Sequence, residues 1–498
     1  MKPAVHRKLA LYEEVRMGQK VQEHHALYND LCSIVGAENV SDEEFVRRAY
    51  TRSPSTKVYG GGRGKTPGIA VKPTTTEQVS EIVKLANKVG TPIVPKGGGG
   101  SIAACPPLHV GTEANILIDT TGMNKIIEID TEYMRVSAEC GVILSQLAEE
   151  VRKAGFHLPT VDVPIHMDSV GGVLSGFIGG GEPSDLATSG TMNKYLLGLR
   201  LVLPTGDIIY TGGGPGTNIH QSKILYREAG SPDITGMFVA DGGAFGIKTE
   251  ATFEIVPYPM HYTVGIYDMG NWDNLWKAFS ILVSMAPYPY TRLMAFHKRN
   301  GPTLIMYVIR AHSAEEMNLK KGIVEETFAS CGGKTGGSEV DAGLKLGSLF
   351  SARQLGKAVL PVASMMSYFG EALVPRARTR EWLDYLNDSA DKLLQGVKIT
   401  EMVDFALPYL RAMCVTGILM YFGKETPAEQ VSRIIYAFTA DELHKTLFQR
   451  FGGFTELAQG FGQVQSAAGW SPTYKSYMTS LKKALDPNNI LMPNLWGF

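Results

Sequence analysis

Pro95-Lys96-Gly97-Gly98-Gly99-Gly100-Ser101, delivered at the end of the apolar run Thr91-Pro92-Ile93-Val94, is the stretch on which the fold turns. Four successive glycines let the main chain enter φ > 0 and come close to a ligand, and their N–H groups can converge on phosphate oxygens. Lys96 adds a charge at the rim. Gly-Gly-Gly-Gly-Ser is also the composition of a flexible linker. The prolines and β-branched residues that fix the approach, together with an amphipathic helix upstream, favour a pyrophosphate cradle over that linker.

In that upstream helix Thr74 and Glu77 make a capping-box pattern. Val79, Ile82, Val83, Ala86 and Val89 recur at helical spacing, and Gly90 stands where a C-cap glycine belongs. The order helix, short strand, glycine loop places the loop in a βαβ-like unit. In a nicotinamide-binding Rossmann domain the glycine loop instead opens a helix with G-x-G-x-x-G spacing, and no such match occurs in this chain. Tyr59-Gly60-Gly61-Gly62-Arg63-Gly64-Lys65-Thr66 is a near miss for a nucleotide P-loop. Its first glycine position holds Tyr59, and after Pro67 the run Gly68-Ile69-Ala70-Val71 reads as strand rather than helix.

The chain has 498 residues, 44% of them hydrophobic, enough for two or three domains with real cores. With 48 basic and 49 acidic side chains the net charge is −1, which predicts neither a nucleic-acid stripe nor a preference for anionic membranes. Cys32, Cys105, Cys140, Cys331 and Cys414 are odd in number, scattered and without C-x-x-C spacing. Structural zinc, a thiolate-bound cluster and a disulfide framework are therefore not expected, and a reducing, cytoplasmic setting is. The N-terminus is polar and helical in pattern, without the apolar core of a signal peptide, and no stretch approaches twenty uncharged apolar residues.

Along the chain, residues 1–50 read as N-terminal surface helices, with Ser41 and Glu44 as a second capping box. Residues 51–258 are rich in glycine and short strands, among them 115–119, 125–130, 134–138, 198–203, 207–211 and 249–256. Pro204-Thr205-Gly206-Asp207 supplies a tight turn there. Residues 259–454 alternate long helices with strands. Residues 455–498 return to Gly and Pro punctuation and end in a helix with Tyr477, Met478, Leu481 and Leu485 on one side. A further constellation runs from Val161-Asp162-Val163-Pro164-Ile165-His166-Met167-Asp168 into Ser169-Val170-Gly171-Gly172, then Gly176 and Gly179-Gly180-Gly181. Its glycines would let backbone lie flat against a planar ligand.

The succession of helix 76–89, the Ile93-to-Ser101 segment, an Asp119-to-Asp130 hairpin, Gly141-Val142 before helix 144–154, Ser169-Val170-Gly171-Gly172, Leu199-to-Asp207 and Gly236-to-Ile247 resembles the FAD-binding domain of the vanillyl-alcohol oxidase and p-cresol methylhydroxylase superfamily. Leu485-Asp486-Pro487-Asn488-Asn489-Ile490-Leu491-Met492-Pro493 resembles the closing segment of that family. Ala372-Leu373-Val374-Pro375-Arg376 resembles a cap element of its D-lactate and glycolate dehydrogenase branch. The resemblance implies an α+β protein: a two-subdomain FAD-binding domain of the p-cresol methylhydroxylase type plus an α+β cap that holds substrate.

Carried over by position, the resemblance implies that Lys96, Gly97, Gly98, Gly99, Gly100 and Ser101 bind the FAD pyrophosphate. Pro164, Ser169, Gly171, Gly172, Gly176 and Gly190 would line the isoalloxazine and ribityl chain, with Ile247 near the end of the site. Related enzymes often attach flavin to a histidine in the glycine loop, where this chain has Gly100, so dissociable FAD is expected. The dehydrogenase branch carries a His-x-Gly-Asp-Gly-Asn-x-His metal motif in the cap. Here Leu410 to Tyr421 offers neither histidine nor acid, and no metal is expected.

By the same resemblance the flavin accepts hydride at N5 while a base takes the proton. His166 is a candidate for contact with substrate. Arg411, able to replace a metal in binding a carboxylate, and Tyr421 are candidates on the degenerate motif strand. His297, Arg292, Arg310 and His312 read as solvated or structural. The leading reading is a dehydrogenase of a hydroxy acid or related alcohol that passes electrons to an iron–sulfur or other electron-transfer protein, as a homo- or hetero-oligomer. The alternatives are a phenolic alcohol oxidase or hydroxylase, for which Val161-Asp162-Val163-Pro164 and the tail with Trp496 are hints, and a flavin relay subunit of a larger complex.

Overall fold

In this computed structural model the described residues are 22–51, 66–99, 115–159, 168–176, 191–212, 227, 232–336, 366–397, 399–409, 411–422, 443–453, 469–493 and 495. The Thr76–Val89 helix buries Val79, Ile82, Val83 and Ala86, one apolar stripe at i, i+3, i+4 and i+7. Each Val or Ile contributes about 1.5 to 3 kcal/mol by leaving water. The cap sits one residue later than the sequence pattern implies. Thr75 accepts the Gln78 N–H, and the Gln78 side chain reaches back to Thr74. Glu77 is free to bond Arg200 instead. Gly90 ends the helix at φ 69° in the left-handed region, where a side chain is strained. The second proposed box is absent: the Glu44–Ala49 helix has no side-chain cap, and Ser41 accepts only the Glu43 N–H.

That helix joins two strands of a four-stranded sheet. Strands β1 (Val40–Ser41), β2 (Ile69–Val71), β3 (Ile93–Lys96) and β4 (Ile116–Asp119) lie in the order β1-β2-β4-β3, with β2, β4 and β3 parallel. A second, antiparallel sheet has the order β5-β6-β10-β8-β9, built from β5 (Ile126–Asp130), β6 (Arg135–Glu139), β8 (Leu196–Val202), β9 (Ile208–Tyr210) and β10 (Ile247–Glu254). The Thr76–Val89 helix also meets the β8–β9 turn: Ser80 donates to the Gly206 carbonyl at 2.6 Å and Asn87 to the Pro204 carbonyl at 2.6 Å.

Residues 119–130 are not a hairpin. Asp119 ends β4 in the first sheet and Asp130 ends β5 in the second, so the segment crosses between sheets. Two apolar runs around Thr-Thr-Gly look alike locally whether they pair with each other or with distant strands. A short pair, β7 (Phe156–His157) with β11 (Val256–Pro257), borders the second sheet.

The third sheet is six-stranded and antiparallel, ordered β12-β14-β13-β16-β17-β15. Its strands are β12 (His261–Asp268), β13 (Arg292–Lys298), β14 (Thr303–Ala311), β15 (Met366–Pro375), β16 (Ile399–Tyr409) and β17 (Met413–Phe422). Side chains alternate between its faces. Leu293, Ala295, Ile305, Tyr307, Ala406 and Ile418 pack against the helices Trp272–Ser284, Ala314–Ser330 and Thr379–Leu393. The other face carries Ile266, Met294, Met306, Leu373, Phe405, Leu407 and Val415.

The C-terminal helix Pro472–Leu485 packs on the second-sheet core through Met478, Leu481 and Leu485, while Tyr477 stands 63% exposed. Tyr477 therefore lies off the buried side proposed for it. After the helix the chain runs alongside β3: Ile93 donates to the Ile490 carbonyl at 2.8 Å, and Met492 donates to that of Ile93 at 3.0 Å. The strand that delivers the glycine loop is thus paired by β4 on one side and by the C-terminal segment on the other.

Candidate functional site

β3 ends at Lys96, and the loop that follows lies against the turn before the Val170–Ser175 helix. Fully buried Ser169 ties the two together, because its hydroxyl accepts the Gly98 N–H at 3.2 Å and the Gly172 N–H at 3.3 Å. A Cβ on Gly97 would fall 2.2 Å from the Ser169 hydroxyl and 3.2 Å from the Gly172 backbone, so only glycine allows this approach. Gly99 has φ 75°, and a Cβ there would lie 2.7 Å from the Lys96 ammonium. Gly171 donates to the Cys140 carbonyl at 2.7 Å, and Gly176 closes the helix by donating to Gly172 and Val173.

The structure therefore brings Lys96, Gly97, Gly98 and Gly99 together with Ser169, Gly171 and Gly172 in one cradle. The close approach of the two glycine segments, a nearby ammonium and the absence of side chains fit a dinucleotide pyrophosphate. Gly100, Ser101, Pro164, His166 and Gly190 lie outside the described residues. Ile247 is buried among Ile69, Ile93, Ile116, Val202 and Ile490, in the core beneath the first sheet.

Two cations mark the face of the third sheet that bears the Met, Leu and Phe cluster. Arg310 of β14 lies 3.4 Å from the His157 imidazole of β7, which turns this face toward the part of the molecule that holds the cradle. Arg292 shares the face with Met294 and stands opposite Val308 of β14; it is 3% exposed rather than solvated. His297 is on the opposite, helix-covered face, 5.3 Å from Trp272 and 2.9 Å from the Thr303 hydroxyl, and burial lowers its pKa. His312 donates its backbone N–H to Glu316.

Arg411 is also on the helix side. Its guanidinium lies 4.6 Å from the Tyr288 ring centre and donates to the Ser284 carbonyl at the end of the Trp272–Ser284 helix. Arg376 bonds the same helix end through Ser280 and Ser284. Cations there complement the carbonyl-rich C-terminus. The structure does not bring Arg411 to the cradle. Tyr421 lies on β17, opposite Met366 and Glu401.

Two further residues escape a reading of motifs. Asp168 precedes Ser169, and its backbone carbonyl accepts the Leu144 N–H. Burial alone pushes its carboxyl up to about 7. Its place directly before Ser-Val-Gly-Gly was the available signal. Tyr50, from the N-terminal region, reaches Asp119 at the end of β4; nothing local in the sequence marks it.

Gly99→Asp is expected to weaken FAD binding on the order of a hundredfold, since it combines a strained left-handed backbone with a carboxylate that captures Lys96 and repels phosphate. Flavin fluorescence titration of the apoprotein measures this. Lys65→Ala, in the P-loop look-alike outside the described residues, is expected to leave the affinity unchanged.

A parallel strand feeding a glycine cradle, an antiparallel partner sheet and a third sheet facing them define a flavoprotein architecture with a cap. Residues 67–212 match the family model described as an FAD binding domain. The glycolate oxidase subunit GlcD of Bacillus subtilis (strain 168) is 24% identical over 480 residues, 93% of this chain and 95% of that protein. A D-lactate dehydrogenase of Anaerostipes hadrus is 28% identical over 202 residues, 41% of this chain and 38% of that protein. Among solved structures, 4-ethylphenol oxidase from Gulosibacter chungangensis in its isoeugenol complex superposes with a TM-score of 0.77 at 19% identity, covering 95% of this chain and 97% of that one. p-Cresol methylhydroxylase with substrate bound gives 0.77 at 18% identity, covering 96% and 97%.

The chain carries an FAD binding domain at residues 67–212 and shares the fold of p-cresol methylhydroxylase and 4-ethylphenol oxidase. It is an FAD-dependent oxidoreductase, with FAD as its cofactor. Among the described residues no helix is long and apolar enough to cross a membrane, and no group of three or more His, Cys, Asp or Glu is placed to hold a metal ion.

Proposed function

We propose that the protein oxidises a hydroxy acid or related alcohol and passes the electrons to a protein acceptor. The observation that carries this reading is the pairing of an apolar sheet face with a buried cation: Met294, Met306, Leu407 and Val415 share that face with Arg292. An apolar wall excludes water and takes the carbon part of a substrate, and a guanidinium beside it suits a carboxylate. FAD held in the cradle would supply a two-electron acceptor for the hydride of the carbon that bears the hydroxyl. The proton of that hydroxyl goes to a residue of the segment entering the cradle, where His166 and Asp168 flank Met167. The relative named as a glycolate oxidase subunit, matched over nearly its whole length, supports both the substrate class and work with partner chains.

A phenolic alcohol is the second reading, favoured by Phe296, Phe405 and Tyr409 on the same face. Anaerobic addition of 2-hydroxy acids and of phenolic alcohols separates the two: bleaching of the oxidised flavin band by the acids supports the first. Reduction by phenols alone overturns it, and reduction by neither leaves the relay-subunit reading. Activity is expected to survive EDTA, because Leu410 to Tyr421 offers no metal-ligating histidine or acid. Acid precipitation is expected to release the flavin, since Gly100 occupies the position of the attaching histidine.

A further inference from the structure

Lys96 does not stand alone at the rim of the cradle. Its ammonium lies 5.5 Å from the ring centre of Tyr50, donates to the Gly97 carbonyl at 3.2 Å, and crosses the space beside Gly99. Tyr50 is itself fixed from below. Its hydroxyl donates to Asp119 at 2.9 Å, and the other oxygen of that buried carboxylate accepts the backbone N–H and the hydroxyl of Thr121. Asp119 stands opposite Lys96 in the β3–β4 register, and Thr120 donates its hydroxyl to the Lys96 carbonyl at 3.1 Å. The main chain of Lys96 is therefore held by the first sheet and its side chain by an aromatic ring from the N-terminal region.

We propose that Tyr50 is a positioning residue of the cofactor site, whose ring holds the Lys96 ammonium over the glycine loop so that the cation is already in place when the pyrophosphate arrives. This rests on the placement of the FAD pyrophosphate at residues 97–99. A lysine side chain free in water loses rotamer entropy on being ordered by a ligand, and a cation resting on an aromatic face has met that cost beforehand. The link to Asp119 sets the ring's height and tilt, since a phenol tied at its hydroxyl cannot swing away. The N-terminal region thereby takes part in flavin retention without touching the flavin.

The test is FAD affinity of apoprotein, by flavin fluorescence, across a range of ionic strength. Lys96→Met is expected to weaken binding about tenfold at low salt, the worth of one charge-assisted contact, and to flatten the salt dependence. Tyr50→Leu is expected to weaken it about three- to tenfold and to flatten the salt dependence likewise. The double variant should bind no worse than Lys96→Met alone, because both changes remove one interaction. Tyr50→Phe, which keeps the ring but loses the tie to Asp119, should fall between wild type and Tyr50→Leu. Thermal melts of each apoprotein identify any loss that comes from unfolding, in which case Tyr50→Phe and the salt slope decide. Losses that add in the double variant, or a Tyr50→Leu salt slope equal to wild type, overturn the positioning role while leaving the cradle intact. If neither Lys96→Met nor Gly99→Asp changes affinity, the placement of the pyrophosphate itself is overturned.

Discussion

A Lys482→Met variant is expected to lose about 3 to 5 kcal/mol of folding stability, and most of its hold on FAD with it. The Lys482 ammonium is almost fully buried and spends all three protons on protein acceptors: the Asp486 carboxylate at 2.6 Å, the Leu491 carbonyl at 2.7 Å and the Ala244 carbonyl at 2.9 Å. Asp486 also accepts the backbone N–H groups of Ile490 and Leu491. Burial lowers the pKa of Lys482, opposed by Asp486 beside it. Removing the cation leaves a carboxylate and two carbonyls in low dielectric without their donor, which costs far more than the pair contributed. Urea unfolding of wild type, Lys482→Met and Lys482→Met/Asp486→Asn checks this. The double variant should recover more than half of the loss, since the uncompensated charge is gone. A single variant within about 1 kcal/mol of wild type would show the cluster to be dispensable.

Asp168→Asn is expected to stabilise the apoprotein above pH 7 by about 2 to 4 kcal/mol and to leave it unchanged near pH 4. The sign follows from burial, which raises the folded carboxyl to about 7. In the unfolded chain it titrates near its ordinary value of about 3.9. Its contribution is therefore fully present below the unfolded value and is lost as the pH climbs through the folded one. Asparagine keeps the shape and never ionises, so wild type should weaken between about pH 4 and pH 7 while the variant does not. Chemical denaturation at closely spaced pH values measures the difference. The same variant addresses catalysis: if Asp168 receives the substrate proton, kcat falls by about a hundredfold or more. If only stability changes, the proton goes elsewhere and His166 is the neighbour that remains.

What could be read from the chain alone was whatever local spacing dictates. The Thr76–Val89 helix, the short strand after Gly90 and the glycine loop follow from periodicity and from residues with special backbone freedom. The cap of that helix slips by one residue because Thr74 and Thr75 are equally able to accept, and Gln78 reaches back better once Glu77 has found Arg200. The crossover after Asp119 was hidden for a different reason. A strand's partner is chosen by the whole molecule, and β5 pairs with β6 of the second sheet rather than with the strand just before it.

Charged residues inside the protein were the least legible. Lys482 stands four residues after Met478, inside the stripe that its helix buries, and Ala244 together with Asp486 and Leu491 of the segment that follows closes over it. Tyr50 owes its interest to a distant contact, with Asp119, and Asp168 to the desolvation that raises its carboxyl. Arg411 shows the converse. Its position next to a family motif drew attention to it, and the turn between β16 and β17 then aims it at the end of a helix.

The pairing of Ile93 with Ile490 and Met492 has a consequence for how the protein comes into being. Almost four hundred residues separate the two flanks of that ladder, so while the polypeptide is still on the ribosome β3 is a bare edge, and the loop it carries is anchored on one side only. Contacts so remote in sequence form last, because a very large loop must close before they contribute anything. Until then the nascent chain holds an incomplete nest for its nucleotide. Truncation before Leu491 is therefore expected to weaken flavin retention, read as the loss of flavin absorbance in the purified product.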